Sequence, residues 1–285
     1  MADRDQRKRT AAKHTSLMKG VFASDIAACV ASVKVFEDGQ GRELAIPEPR
    51  FEKTATRVTM DFAPKALYAA QGKAVLVDPA SFTRPGGSYE EGGFGPEQVL
   101  CSESDLYPIL CGIKKVYHDK NRGWESGQLY TDRAAYLSGV TFSRNGETRN
   151  ADVVVIAAPN RKRAMENNRS VEGCDQALGF RIEAMLRVAA SGGADVLICG
   201  AFGCGPQGNA DAQVIALIKA WLDAHPGVFE QVVFAVPRSS FDAFEEAFGA
   251  AEPEEQPAEA APEEADEDDE DDWRNIELPE GVTLG

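Results

Sequence analysis

The stretch best placed to do chemistry is dense in glycine (Gly86, Gly87, Gly92, Gly93, Gly95). Glycines at this density let the backbone approach a ligand closely, and consecutive free N–H groups in such a loop can cup an anion. The apolar run Ala74–Val77 ahead of it reads as a buried strand, and Cys101–Leu110 behind it as a helix or helical turn. Strand, glycine loop and helix in that order is a common plan for holding phosphate. The spacing is neither a Walker loop nor a G-x-G-x-x-G, so composition alone leaves two readings open, a phosphate loop and a plain mobile connection.

A second glycine run, Gly200-Ala201-Phe202-Gly203-Cys204-Gly205-Pro206-Gln207-Gly208-Asn209, also follows an apolar strand (Asp195–Cys199) and precedes a helix. Its exposed N–H groups and the positive end of the helix suit an anion; the alternative is a tight turn needing glycine for packing. Ala158-Pro159-Asn160 closes a third strand, Asp152–Ala157, and Asn160 is either a ligand contact or a helix cap. The six cysteines form no C-x-x-C pair, and with three histidines they argue against a zinc site. No metal and no cofactor is expected.

Pro85-Gly86-Gly87, then Gly92, then Glu97-Gln98-Val99-Leu100-Cys101, with Leu106-Tyr107-Pro108 beyond, resembles the signature of microbial-type poly(ADP-ribose) glycohydrolases, members of the macrodomain superfamily. That signature reads Pro-Gly-Gly-Gly, a short spacer, and Gln-Glu-Glu-x-Leu-Cys. The second glycine run is similar to the family's Gly-Ala-Trp-Gly-Cys-Gly-x-Phe-Gly-Asn loop, and the likeness extends over roughly 12–248. It implies a three-layer α/β/α sandwich with a mixed, largely parallel sheet. It also implies an ADP-ribose site at Asp78, Ala80, Gly86, Gly87, Ser88, Asn160, Gly203, Cys204, Gly205, Gln207, Gly208 and Asn209. The acidic pair would face the distal ribose and cleave its glycosidic bond by general acid catalysis through an oxocarbenium-like transition state.

Several positions depart from the family pattern, and four of them bear on the site. Gln98 stands at the catalytic glutamate, and an amide is no general acid at neutral pH, so the acid–base role passes to Glu97, with Gln98 hydrogen-bonding a ribose hydroxyl. Glu90 and Glu91 are substitutes only if the loop tip turns inward. Gln207 replaces an aromatic, a loss on the order of 1 kcal/mol of stacking, for which Phe94, Phe202 or Tyr89 offer other faces. Ser88 replaces the third glycine, and Asp78 replaces an asparagine. Two functional classes follow for the pocket: an ADP-ribosyl glycohydrolase, or an ADP-ribose reader without chemistry.

The elements that must position these residues are legible as an alternation. Arg57–Asp61, Leu137–Ser143 and Gln231–Val236 read as further strands; Ala63–Gln71, Asp175–Ala190, a stretch around Val214–Leu222 and Ser239–Phe248 read as helices, the last capped by Ser239 or Ser240. Thr15–Val35 reads as a helix and an early strand, and Ile113–Tyr136 as a long irregular connection. Strands alternating with helices make a layered α/β domain whose ligand lies beyond the carboxyl ends of the strands. The exits at Asp78, Ala158 and Gly200 are expected to meet in one crevice.

The domain is expected to span 1–250, with the basic residues 1–13 as a frayed end or solvated helix, followed by an acidic disordered tail over 251–285. The chain of 285 residues carries a net charge of −16, but 252–280 holds fifteen Asp/Glu against one Arg, so the remainder is near −2. This balance argues against duplex nucleic acid as a partner and leaves a basic partner for the tail as a third, separate reading. ADP-ribose or an ADP-ribosylated protein or polymer is the partner expected at the pocket. Absence of a long apolar run argues against a membrane, and free thiols with no export signal point to the cytoplasm.

Overall fold

The structure, a computed structural model, describes residues 3–249. The expected acidic tail lies outside the described residues. In chain order the elements are α1 (Arg4–Val21), α2 (Ala23–Ala31), β1 (Lys34–Phe36), the single turn α3 (Gln40–Glu43), β2 (Ala55–Thr59), α4 (Ala63–Ala69), β3 (Ala74–Pro79), α5 (Pro96–Ser102) and α6 (Leu106–Gly112). They continue with β4 (Ala134–Arg144), β5 (Glu147–Ile156), α7 (Arg161–Glu166), α8 (Val171–Ser191), β6 (Val196–Cys199), α9 (Asp211–Ala224), β7 (Gln231–Ala235) and α10 (Arg238–Phe248).

The seven strands form one sheet in the order β1-β4-β5-β3-β6-β7-β2. Pairings are parallel from β5 through β3, β6 and β7 to β2, while β4 runs antiparallel to both β1 and β5. The central strands are apolar on both faces because both are covered. Val75, Val77, Val154, Ile156, Leu197 and Phe234 pack in one core with Leu178 and Ile182 of α8, Ile218 of α9 and Phe244 of α10. Ala74, Leu76, Val153, Val155, Ile198 and Val233 face the other, with Ala11 of α1, Cys29 of α2, Leu67 of α4, Leu100 of α5 and Leu106 of α6. The helix, sheet, helix layering expected from the sequence is therefore present.

Four local expectations are corrected. The helix placed at Cys101–Leu110 is two helices: α5 starts five residues earlier, with Pro96 in its first turn, where a fixed φ and a missing N–H cost nothing. The chain then breaks at Glu103–Asp105 before α6. Residues 134–136 of the irregular connection belong to β4, paired with β1. Helix α10 follows Pro237 and no serine side chain caps it.

The fourth correction concerns the N-terminus, which is neither frayed nor merely solvated. Asp3 caps α1 by accepting from the Arg4 N–H at 2.7 Å. The helix then lies across the glycine loop: Arg4 Nε donates to Glu91 O and Arg7 Nε to Gly92 O, both at 2.9 Å, and His14 Nδ1 sits 3.1 Å from the Tyr89 hydroxyl. Gly92 has φ +71°, and a Cβ there would stand 2.1 Å from the Arg4 carbonyl oxygen. Glycine is needed at this position on both counts. Gly92→Ala is expected to destabilise the protein by on the order of 3 kcal/mol through left-handed strain and overpacking, measured by urea unfolding, whereas Gly123→Ala, with open space around it, has only the left-handed term.

Candidate active site

Because β5, β3 and β6 are adjacent and parallel, their exits emerge side by side. The Ala80 N–H donates to Ile156 O at 3.1 Å, tying the β3 exit to that of β5. The Asn209 amide donates to Pro159 O at 3.0 Å and to Gly203 O at 2.7 Å, tying the β6 exit to β5 from the other side. The three loops thus share one edge of the sheet, as expected.

Glu97 lies at this meeting point. It sits in the first turn of α5, 5% exposed, and its Oε2 accepts the Ser81 N–H at 3.0 Å. A Cβ on Gly87, whose φ is +56°, would come within 2.9 Å of the same oxygen; the backbone turn closes over the carboxyl only because that atom is missing. Gln98 donates its amide to Gly86 O at 3.0 Å, with Glu97 Oε2 at 3.4 Å. The pair is thus bound to the loop that precedes it, Glu97 inward and Gln98 half-buried against Gly86.

Burial raises the Glu97 carboxyl well above the ordinary glutamate range, the neighbouring Asp78 raises it further, and the Ser81 and Gly86 N–H groups partly offset both. Asp78 is wholly buried, with no hydrogen bond to either oxygen, and burial pushes it up to about 8. Strand alternation explains its direction: it follows Ala74 and Leu76 on the face that α5 covers. A carboxyl raised in this way keeps its proton to higher pH, the state a general acid needs. The other loop carboxylates turn outward: Glu91 pairs with Arg84 at 2.5 Å at the surface, and Glu90 is exposed.

The remaining expected contacts divide. Gly87, Gly205, Gln207 and Gly208 lie at the accessible rim. Asn160 takes the capping role, accepting the Arg163 N–H at 3.0 Å as α7 begins. Asn209 is a buried staple, the Cys204 thiol belongs to the core beside α8 and α9, and Ser88 packs its hydroxyl against Gly93. Of the aromatics offered in place of the one missing at Gln207, Phe202 and Tyr89 are buried. Phe94 is exposed and meets Phe62 edge to face at 5.9 Å.

Several residues that hold the site carry no local sequence signal. Asn121 donates to Phe82 O at 2.7 Å, and Tyr130 stacks on the Phe82 ring at 4.5 Å. Gln128 O receives the Asn160 N–H at 2.9 Å. The buried Arg181 of α8 donates to Ala157 O and, at 3.1 Å, to Leu129 O. The long connection after α6 is therefore a buttress beneath the β3 and β5 exits. The sequence offered its length as the only hint.

Together the fold and this edge define an α/β sandwich of the macrodomain kind with a buried carboxyl group at the exits of its parallel strands. Residues 8–145 match the family model described as "Microbial-type PARG, catalytic domain". Among solved structures, the chain is similar to poly(ADP-ribose) glycohydrolase from Thermomonospora curvata at 25% identity and TM-score 0.74, over 86% of this chain and 100% of that one. The same enzyme bound to the inhibitor ADP-HPD gives 27% identity and TM-score 0.71, over 84% and 97%. The enzyme from Deinococcus radiodurans in complex with ADP-ribose gives 27% and 0.68, over 78% and 96%. No curated protein sequence matches. The first half of the chain is thus similar in sequence, and the fold as a whole in structure, to microbial-type poly(ADP-ribose) glycohydrolases. Among the described residues no helix is long and apolar enough to cross a membrane.

The raised Asp78 carboxyl has a measurable consequence for stability. Unfolded, it ionises above the ordinary aspartate value of 3.8; folded, burial pushes it up to about 8. The penalty therefore grows as pH rises from about 4 towards 8 and is absent below 4. Asp78→Asn is expected to stabilise the protein by on the order of 2–4 kcal/mol at pH 7 and by little at pH 4, read as urea midpoints at the two pH values.

Proposed function

We propose that this protein is an ADP-ribosyl glycohydrolase that releases ADP-ribose from poly(ADP-ribose) or from an ADP-ribosylated protein. The observation that carries the reading is the Glu97 carboxyl, held out of water at the junction of three strand exits, fixed by the Ser81 N–H and roofed by Gly87. The match of residues 8–145 to the family model, and the similar enzymes' complexes with ADP-ribose and ADP-HPD, support the ligand.

In this reading the diphosphate lies along the glycine run after β6, whose exposed positions Gly205 and Gly208 leave backbone accessible. The distal ribose faces α5. The bond from its anomeric carbon to the departing oxygen breaks as Glu97 gives that oxygen its proton. The ribosyl cation is then attacked by water, whose proton returns to Glu97. Gln98 holds a ribose hydroxyl and moves no proton. The inward setting of Glu97 favours this over a reader, in which that carboxyl would have no work. All six cysteines are free thiols, which fits a reducing cytoplasm. For the tail at 252–280, its charge suits a basic partner.

Incubation with poly(ADP-ribose), and separately with mono-ADP-ribosylated protein, is expected to release ADP-ribose from at least one of them. Glu97→Gln should cut that rate by at least about 100-fold, and Gln98→Glu should raise it. Release that survives Glu97→Gln unchanged would overturn the assignment of the acid. Millimolar ADP-ribose is expected to raise the melting temperature of the parent protein; no shift would remove the pocket itself.

A further inference from the structure

Three oxygen atoms in the dry compartment under the glycine loop have no hydrogen-bond partner: both carboxyl oxygens of Asp78 and Oε1 of Glu97. Each residue is buried, Asp78 completely and Glu97 to 5% exposure. The groups around them supply no compensating cation. On α5 the next titratable group inward is the buried Cys101 thiol, itself raised by burial and by both carboxyls. From the segment after α6 comes the Tyr117 hydroxyl, likewise raised by burial, and from α6 itself Tyr107 and Cys111, both raised. Arg181 of α8 donates to Ala157 O and Leu129 O, leaves its Nε unpartnered, and donates to neither carboxyl. The β3–α5 loop offers only main-chain N–H groups, and Ser81 spends its own on Glu97 Oε2.

We propose that Asp78 and Glu97 act as one proton-holding pair, in which Asp78 is a positioning residue that keeps the catalytic proton on Glu97. Two buried carboxyl groups on the same side of the sheet resist carrying charge together; ionising either makes the second ionisation harder. Asp78, with no donor to stabilise its anion, brings no hydrogen bond that would draw the proton off. Glu97 meets the glycosidic oxygen as a neutral acid, and the compartment never exceeds one negative charge. The proton Glu97 gives up to the leaving oxygen returns to it from the attacking water, so Asp78 exchanges nothing with substrate and is unchanged over the cycle. The pair also sets an upper pH limit, because above the first ionisation Glu97 can no longer start the reaction. The kinetic half of this inference rests on the glycohydrolase reading; the ionisation half does not.

The test is a carboxyl-carbon NMR titration of the full-length, ligand-free protein labelled at glutamate, with the Glu97 resonance assigned by its loss in Glu97→Gln. In the parent, Glu97 is expected to titrate well above the ordinary glutamate range. In Asp78→Asn its midpoint should fall by at least one pH unit, a tenfold change in acidity, and Asp78→Ser should move it the same way. A midpoint unmoved in both variants, or an ordinary glutamate midpoint in the parent, would overturn the pair. In the activity assay the alkaline limb of kcat/KM should move down by the same interval in Asp78→Asn, which a merely structural role for Asp78 would not produce. If neither parent nor variant releases ADP-ribose at any pH, the glycohydrolase reading falls while the titration still decides the pair.

Discussion

Keeping one carboxyl group out of water is the constraint from which the rest of this site follows. Glu97 can be buried because the chain supplies a main-chain donor at Ser81, a turn with no Cβ at Gly87, and a neighbouring acid that shares the reluctance to ionise. The first two come from the β3–α5 loop and the third, Asp78, from β3 itself. A displacement of any one would expose the carboxyl, and a solvated glutamate ionises far below neutrality. The chemistry and the packing are therefore one problem, solved by the same atoms.

The loops around it are built to stay where they are. Ala80 spends its N–H on β5, Asn160 its side chain on α7, and Asn209 its amide on two carbonyls of neighbouring exits. These residues bear the expected chemistry-like types, yet their polar atoms serve the loops. Groups fixed in this way need no rearrangement when charge develops, which is where much catalytic stabilisation resides. The long α1, clamped by Arg4 and Arg7 onto Glu91 and Gly92, completes the restraint from outside.

How much of this was readable from the sequence depended on whether the signal was local. The uninterrupted runs Ala74–Val77 and Asp152–Ala157 announced covered parallel strands, and the glycine blocks announced their exits; all appear where expected. The clamp by α1 was invisible, because Arg4 and Arg7 look like any solvated basic end until residues some ninety positions later are brought against them. The start of α5 was missed because Gly95-Pro96 reads as a breaker, though proline in a first turn begins a helix as readily as it ends one. Arg181 was hidden for a different reason: its helix spacing marks it as one polar residue among apolar ones, and only the fold places carbonyls of two loops at its tip.

One feature of the sheet bears on how the chain reaches this state. Strand β2 is the edge strand whose sole neighbour in the sheet is β7, and the Thr56 hydroxyl donates to Phe248 O, 192 residues away in sequence. During synthesis β2 must wait, unpaired, until nearly the whole domain has left the ribosome. Its open edge is then a template for other chains, and the closure entropy of so distant a pairing slows its capture. Shortening the domain even at α10 would remove the Phe248 carbonyl that braces Thr56, leaving that edge without its final tie.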